Sequence, residues 1–164
     1  MKIPETFVAI DLETTGLEFE KDEIIEIALV RFVNGKPFES CDFLVKPSQT
    51  LRPFIEHLTG ITSEDLANAE DFPAIAEKVF SFIGDAPLVA HNAQFDFRFL
   101  KNAFARVGVP FDSHSVYDSL ALSRIAFQNV ANHKLETLLK HLKIERSVAH
   151  RALPDAEACG KLFV

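Results

Sequence analysis

Apolar residues recur along this chain with two distinct periods, and the way those periods alternate sketches a fold. "FVAID" (7–11) is a short, nearly continuous apolar run ending in an acid, the pattern of a central strand covered on both faces. "EIIEIALVRFV" (23–33) and "FESCDFLVKP" (38–47) flank the turn signal "NGKP" and read as the two strands of a hairpin. Pro53 and Gly60 bracket a short helix in "LRPFIEHLTGIT", and "SEDLANA" can start a further helical turn from its serine. In "FPAIAEKVFSFIGD", Ile75, Val79, Phe82 and Ile83 keep helical spacing up to Gly84. "APLVAH" is a short buried strand, and "SHSVYDSLALSRIAF" passes from strand into helix. "HKLETLLKHLKI" and "LPDAEACGKLFV" are helical, the latter up to its last residue. Three early strands followed by helix–strand–helix units predict an α/β layered domain with a mixed sheet.

The stretch "AHNAQFDFRFL" (90–100) supports two readings. Phe95, Phe97 and Phe99 alternate with polar residues as in a half-buried strand, but a longer window favours a helix. Phe95, Phe99, Leu100, Ala103, Phe104 and Val107 fall on one helical face, Gly108 is a stop and Pro110 follows, which predicts a helix over 93–107. On that helix Asp96 projects from the middle of the apolar arc, while Arg98, Lys101 and Asn102 take the opposite side. A carboxylate buried without partners is unfavourable, so a cation or hydrogen-bond donors should face it. The plainer alternative is a first-turn Asp held by the helix dipole at a wet edge. Asp155 repeats the puzzle in the last helix. Ala156, Ala158, Cys159, Leu162 and Phe163 lie within about 100° of it, whereas Glu157 and Lys161 point away.

Composition narrows what such acids can be for. A chain of 164 residues suits a single domain, 1–164, and its ending inside an apolar helical pattern suggests a domain cut from something longer. The net charge of −7 argues against a broad basic surface that holds nucleic acid by releasing counterions. It leaves open a nucleic-acid enzyme whose acids bind metal, because bound cations invert the local field. Cys41 and Cys159 have no metal-ligand spacing and suit a reduced intracellular setting. With no leader pattern and no long apolar span, the expectation is a cytoplasmic protein without a membrane anchor.

The first strand ends "AIDLETTG", where Asp11 and Glu13 are two apart and so point to one side of an extended backbone. Acid-x-acid alone is weak: with 24 acids in 164 residues, chance supplies about three such pairs. Glu18, Glu20 and Asp22 share the spacing in a polar connection and are expected to be a solvated loop. Asp11 and Glu13 differ because they leave the C-terminal end of a buried strand, where open α/β sheets place ligands. If Asp11, Glu13, Asp96 and Asp155 converge, divalent metal is the natural compensation, and oxygen-only ligation favours Mg²⁺ or Mn²⁺. Two such ions can clamp a phosphodiester. His150, five residues before Asp155, is the candidate base to collect a proton from water, with His91 as a rival that is read as ordering its loop.

Assembled in this order, the chain resembles a DEDDh (DnaQ-like) 3′→5′ exonuclease, the group that includes proofreading domains of bacterial replicative polymerases. "FVAIDLETTGL" is similar to the first exonuclease motif, "LVAHNAQFDFRFL" to the second and "AHRALPDA" to the third. "LTGIT" (58–62) and "HKLETLLKHLKI" (133–144) are similar to connecting segments of the group. The resemblance implies a ribonuclease H-like fold, a mixed five-stranded sheet flanked by helices. It implies that Asp11, Glu13, Asp96 and Asp155 hold two divalent ions and that His150 is the general base. It also implies that Thr14, Thr15 and Gly16 contact the terminal nucleotide while Leu58, Asn92 and Phe95 line its pocket, although core packing explains Leu58 and Phe95 equally well. The implied substrate is the 3′ end of a single strand, released as 5′-mononucleotides, with a DNA polymerase as a candidate partner. The competing readings are an RNA-processing exonuclease of the same group, a binding module with a vestigial site, and a purely structural domain. Pro154, directly before Asp155, departs from the usual pattern and fits if it lies in a first helical turn.

Overall fold

The computed structural model describes residues 2–164, built on one mixed sheet whose five strands run in the order β3-β2-β1-β4-β5. β1 (Thr6–Thr14), β2 (Ile24–Val33) and β3 (Lys36–Leu44) form an antiparallel meander. Asn34 and Gly35 turn the hairpin with φ of 51° and 76°, the left-handed pair a tight hairpin turn requires. β4 (Leu88–Ala90) runs parallel to β1, and β5 (Val116–Asp118) parallel to β4.

β1 is longer than its apolar run predicts, because β2 keeps pairing with it as far as Glu13 opposite Glu26. Asp11 and Glu13 are therefore both strand residues, as their spacing on an extended backbone implies. Just beyond them the register slips, with Thr14 opposite Ile24, so that β2 carries one extra residue. A bulge of this kind bends the strand and re-aims neighbouring side chains.

Among the described residues there are seven helices: α1 (Pro53–Thr59), α2 (Ser63–Ala67), α3 (Phe72–Ile83), α4 (Ala93–Arg106), α5 (Ser119–Ala126), α6 (Leu135–Leu142) and α7 (Ala152–Phe163). They fall where the apolar periods and the cap and stop residues place them. The start of α2 differs by one residue: Thr62 is the cap, sharing a reciprocal capping box with Asp65. The two faces of β1 feed separate cores. Val8, Ile10 and Leu12 pack with Ile75, Val79, Phe99, Leu100 and Phe104 of α3 and α4. Phe7 and Ala9 pack with Ala152, Ala156, Cys159 and Phe163 of α7. Odd-numbered β1 residues thus look toward α7, and Asp11 and Glu13 continue that row. No helix among the described residues is long and apolar enough to cross a membrane.

Candidate active site

Asp11, Glu13 and Asp155 meet at the end of the sheet, with carboxylate oxygens all within 4.8 Å of one another. The strand period puts the first two on one face. The third arrives because α7 packs closely over the same face through small residues. Ala28, directly opposite Asp11 on β2, leaves room for the approach.

Asp96 comes from the other side of the sheet, in the first turn of α4, and is 5% exposed. Donors do face it: the backbone N–H of Leu12, between the two strand acids, donates to Asp96 Oδ1 at 3.2 Å. It stands beside the set of three rather than inside it, but its charge is felt there.

The electrostatics of the cluster are those of acids waiting for a cation. Burial raises Asp11 well above the usual carboxylate range, and the charges of Asp96, Glu13 and Asp155 raise it further. Burial also pushes Glu13 up to about 7, helped by Glu26 and Asp155. Asp96 is pushed up to about 8, again mainly by burial. Asp155 is raised by burial as well, against the pull of Arg146. Unfolded carboxylates titrate near pH 4. Across about pH 5 to 8 these carboxyls thus hold more protons in the folded chain than in the unfolded one, so their contribution to stability falls as pH rises, outweighing the opposite contribution of the single buried His91. The melting temperature without divalent ions is expected to drop by a few degrees from about pH 5.5 to about pH 8. Saturating Mg²⁺ should remove most of that slope by binding the ionised acids. Thermal denaturation with and without chelator checks this, and a melting temperature that climbs with pH in chelator contradicts it.

His150 occupies the loop before α7 with φ of 56°, a left-handed backbone unusual for a non-glycine residue. Its side chain is exposed, and its backbone N–H donates to Asp155 Oδ2 at 3.1 Å. The next residues are anchored to Glu26, which is 1% exposed on β2. Arg151 grips Glu26 Oε1 with Nε at 3.1 Å and Nη2 at 2.8 Å, and the N–H of Ala152 donates to Oε2 at 2.9 Å. Pro154 lies in the first turn of α7, so Asp155 keeps its place. His91 is spent on structure, with ring nitrogens 2.9 Å from Ser119 Oγ and 2.9 Å from the His133 carbonyl.

The residues assigned to the nucleotide are less uniform. The Thr14 hydroxyl donates to the Gly16 carbonyl at 2.6 Å. Thr15 turns inward, 1% exposed; its hydroxyl accepts from Glu23 N at 3.0 Å and Gln49 Nε2 at 3.1 Å. It also donates to Asp22 Oδ1 at 3.3 Å, so the hydroxyl is engaged within its own loop. Gly16 is wedged against Arg52 and Asp22, where a Cβ would overlap both. Leu58 is 41% exposed on α1 and Asn92 is exposed with φ of 71°, while Phe95 is half-buried against the Phe99 ring at 4.8 Å. Asp22 is not the solvated loop acid expected. Its side chain is 14% exposed, and Oδ2 accepts from Glu18 N at 2.9 Å. Glu26, Arg146 and Arg151 belong to the surroundings of the site and lie outside the three motifs, although Glu26 stands out as an acid within an apolar strand.

Oxygen donors at this spacing, raised above the usual carboxylate range chiefly by burial and further by one another's charge, fit hard divalent cations. Comparison with known proteins gives the family. The family model for exonucleases (RNase_T) matches residues 8–163. The PolC-type DNA polymerase III of Bacillus cereus is 39% identical over 160 residues, covering 98% of this chain and 11% of that protein. The 3′-5′ exonuclease DinG of Bacillus subtilis is 38% identical over 161 residues, covering 98% and 17%. The chain thus spans less than a fifth of these relatives. A structure of exonuclease I, described as suggesting how processivity is achieved, superposes with a TM-score of 0.86 at 25% identity, covering 97% of this chain and 40% of that one. Exonuclease I of E. coli in complex with a dT13 oligonucleotide gives a TM-score of 0.84 at 24% identity, covering 96% and 40%. The shared architecture is the ribonuclease H-like fold, a mixed five-stranded sheet flanked by helices. With nearly its full length matched, this chain belongs to the exonuclease family.

Proposed function

We propose that this chain is a metal-dependent 3′→5′ exonuclease domain acting on the 3′ end of single-stranded DNA, in association with a DNA polymerase. The observation that carries the reading is the convergence of Asp11, Glu13 and Asp155 from distant parts of the chain within 4.8 Å. Asp96 is the fourth ligand, and the all-oxygen set points to two ions of Mg²⁺ or Mn²⁺. A solved exonuclease I–single-stranded DNA complex is described as the zinc-bound form, so metal choice is part of the test.

Bound divalent ions supply Lewis acidity to an attacking water and to the departing 3′ oxygen. The chain's own residues do the rest. Asp11, Glu13, Asp96 and Asp155 fix where that charge sits. His150 takes the proton from the water as it attacks phosphorus, and the P–O3′ bond breaks to release a 5′-mononucleotide. The backbone link from His150 to Asp155 ties the position of the base to the same carboxylate. Gly16, Leu58, Asn92 and Phe95 surround the terminal nucleotide, and Thr14 borders it through its backbone.

His150→Ala is expected to lower kcat about a hundredfold with little change in KM, as loss of a general base does. The deciding experiment is product analysis on end-labelled DNA and RNA oligonucleotides of one sequence, with Mg²⁺, Mn²⁺ and Zn²⁺ in turn. Mononucleotides released from the DNA 3′ end support the reading. Preferential release from RNA assigns the chain to RNA processing, and no release with any ion leaves a binding module.

A further inference from the structure

Both oxygens of Asp155 are already engaged by the loop that precedes α7. Arg146 Nη1 donates to Oδ1 at 2.7 Å, with the two side chains only 13% and 10% exposed. His150 N donates to Oδ2 at 3.1 Å. A partly buried ion pair at this distance is a strong, charge-assisted contact. Asp155 is also one of the three carboxylates grouped within 4.8 Å. A divalent ion at that cluster and the Arg146 guanidinium therefore compete for the same carboxylate.

The surroundings give the guanidinium somewhere to go. Beside Arg146 lies a hollow of about 430 Å³ between the loop and the outer face of α7, lined by Glu145, Ser147, Pro154, Glu157 and Lys161. Glu145 offers a carboxylate there, beside Glu157, which pairs with Lys161 at 2.7 Å. The segment is bounded by Lys143 and His150, whose φ angles of 57° and 56° mark sharp left-handed corners at either end.

We propose that Arg146 is a resident counter-cation for Asp155, which a divalent ion displaces into the adjoining hollow, so that metal affinity and the position of the His150 loop are set together. This rests on the metal-dependent reading above. A ligand held by an internal competitor binds with its affinity scaled down by the fraction of time the site is free. If the guanidinium holds Asp155 about nine-tenths of the time, removing it tightens binding about tenfold.

The test is Mn²⁺ titration calorimetry on the 164-residue chain, comparing the wild type with Arg146→Gln and Lys78→Gln. Lys78→Gln makes the same charge change, but its ammonium pairs with Glu70 on the surface, away from both the hollow and the cluster. Tighter binding by about tenfold in Arg146→Gln, with Lys78→Gln within about twofold of wild type, supports the proposal. Equal or weaker binding in Arg146→Gln overturns it, since a residue that merely holds Asp155 in a ligating pose would weaken the site when lost. No Mn²⁺ binding by any of the three instead overturns the metal reading. Should Arg146→Gln fail to fold, NMR of the wild-type arginine side chains decides. The Arg146 guanidinium resonances should shift and lose hindered rotation on adding Mg²⁺, and unchanged resonances count against displacement.

Discussion

Asp155→Asn is expected to cut turnover at least about a thousandfold, a loss of roughly 4 kcal/mol of transition-state stabilisation, without loss of the fold. The amide has nearly the size of the carboxylate, and its oxygen can still accept the N–H of His150, so the turn into α7 is kept. What disappears is one negative charge from the three oxygens grouped within 4.8 Å. Burial already holds the Asp155 carboxyl above its ordinary range, so the folded chain bears a penalty for ionising it near neutral pH. Neutralising it by substitution lifts that penalty but also deprives Arg146 of its partner, and the two effects oppose each other. The melting temperature in chelator should therefore change little, while the stabilisation by Mg²⁺ largely vanishes. Single-turnover cleavage and thermal denaturation measure the two sides. Near-normal cleavage by Asp155→Asn would remove the residue from the metal site.

The acids of the cluster were legible in the sequence because each violates a local pattern. Asp96 and Asp155 sit mid-face on apolar helices, and Asp11 and Glu13 share one side of a buried strand. The physical demand that a buried acid find donors is met at Asp96 by the Leu12 N–H. Glu26 breaks the same rule, lying between Ile25 and Ile27 in a buried strand, and that anomaly was a usable signal. What local pattern does not carry is its partner, Arg151, 125 residues away in sequence. Arg146 had no signal at all, because a polar loop imposes no period against which a charged residue stands out. The Glu18–Asp22 loop misled for a related reason. Composition predicts solvation, but Asp22 is captured by neighbouring backbone and by Arg52, contacts visible only in three dimensions. The loop partners of the Thr15 hydroxyl, Glu23 N and Gln49 Nε2, are likewise contacts that sequence pattern does not carry.

Gly160→Ala separates local propensity from packing, because the two predict opposite signs. Glycine in a helix interior is less favourable than alanine by about 1 kcal/mol, so propensity alone makes the substitution stabilising. Gly160, however, lies where α7 touches β2, and a Cβ there would overlap the ring of Phe32. That ring cannot easily yield. Phe32 is fully buried and stacks on Phe7 with centroids 4.9 Å apart and an interplanar angle of 7°. Phe7 in turn meets Phe163 edge-on at 5.1 Å. The added methyl must therefore lift the helix or distort this trio, and overpacking of that kind costs about 1–3 kcal/mol. We expect Gly160→Ala to be destabilised by about 2 kcal/mol in urea denaturation. The consequence extends to the chemistry. Asp155 is carried by the same helix, so raising α7 draws its carboxylate away from Asp11 and Glu13, and Mg²⁺ affinity should fall with stability. Pairing the change with Phe32→Leu should recover part of both losses, a non-additivity expected only if the two side chains collide. If Gly160→Ala instead raises the urea midpoint, the close approach of α7 to the sheet is not what brings Asp155 to the strand acids.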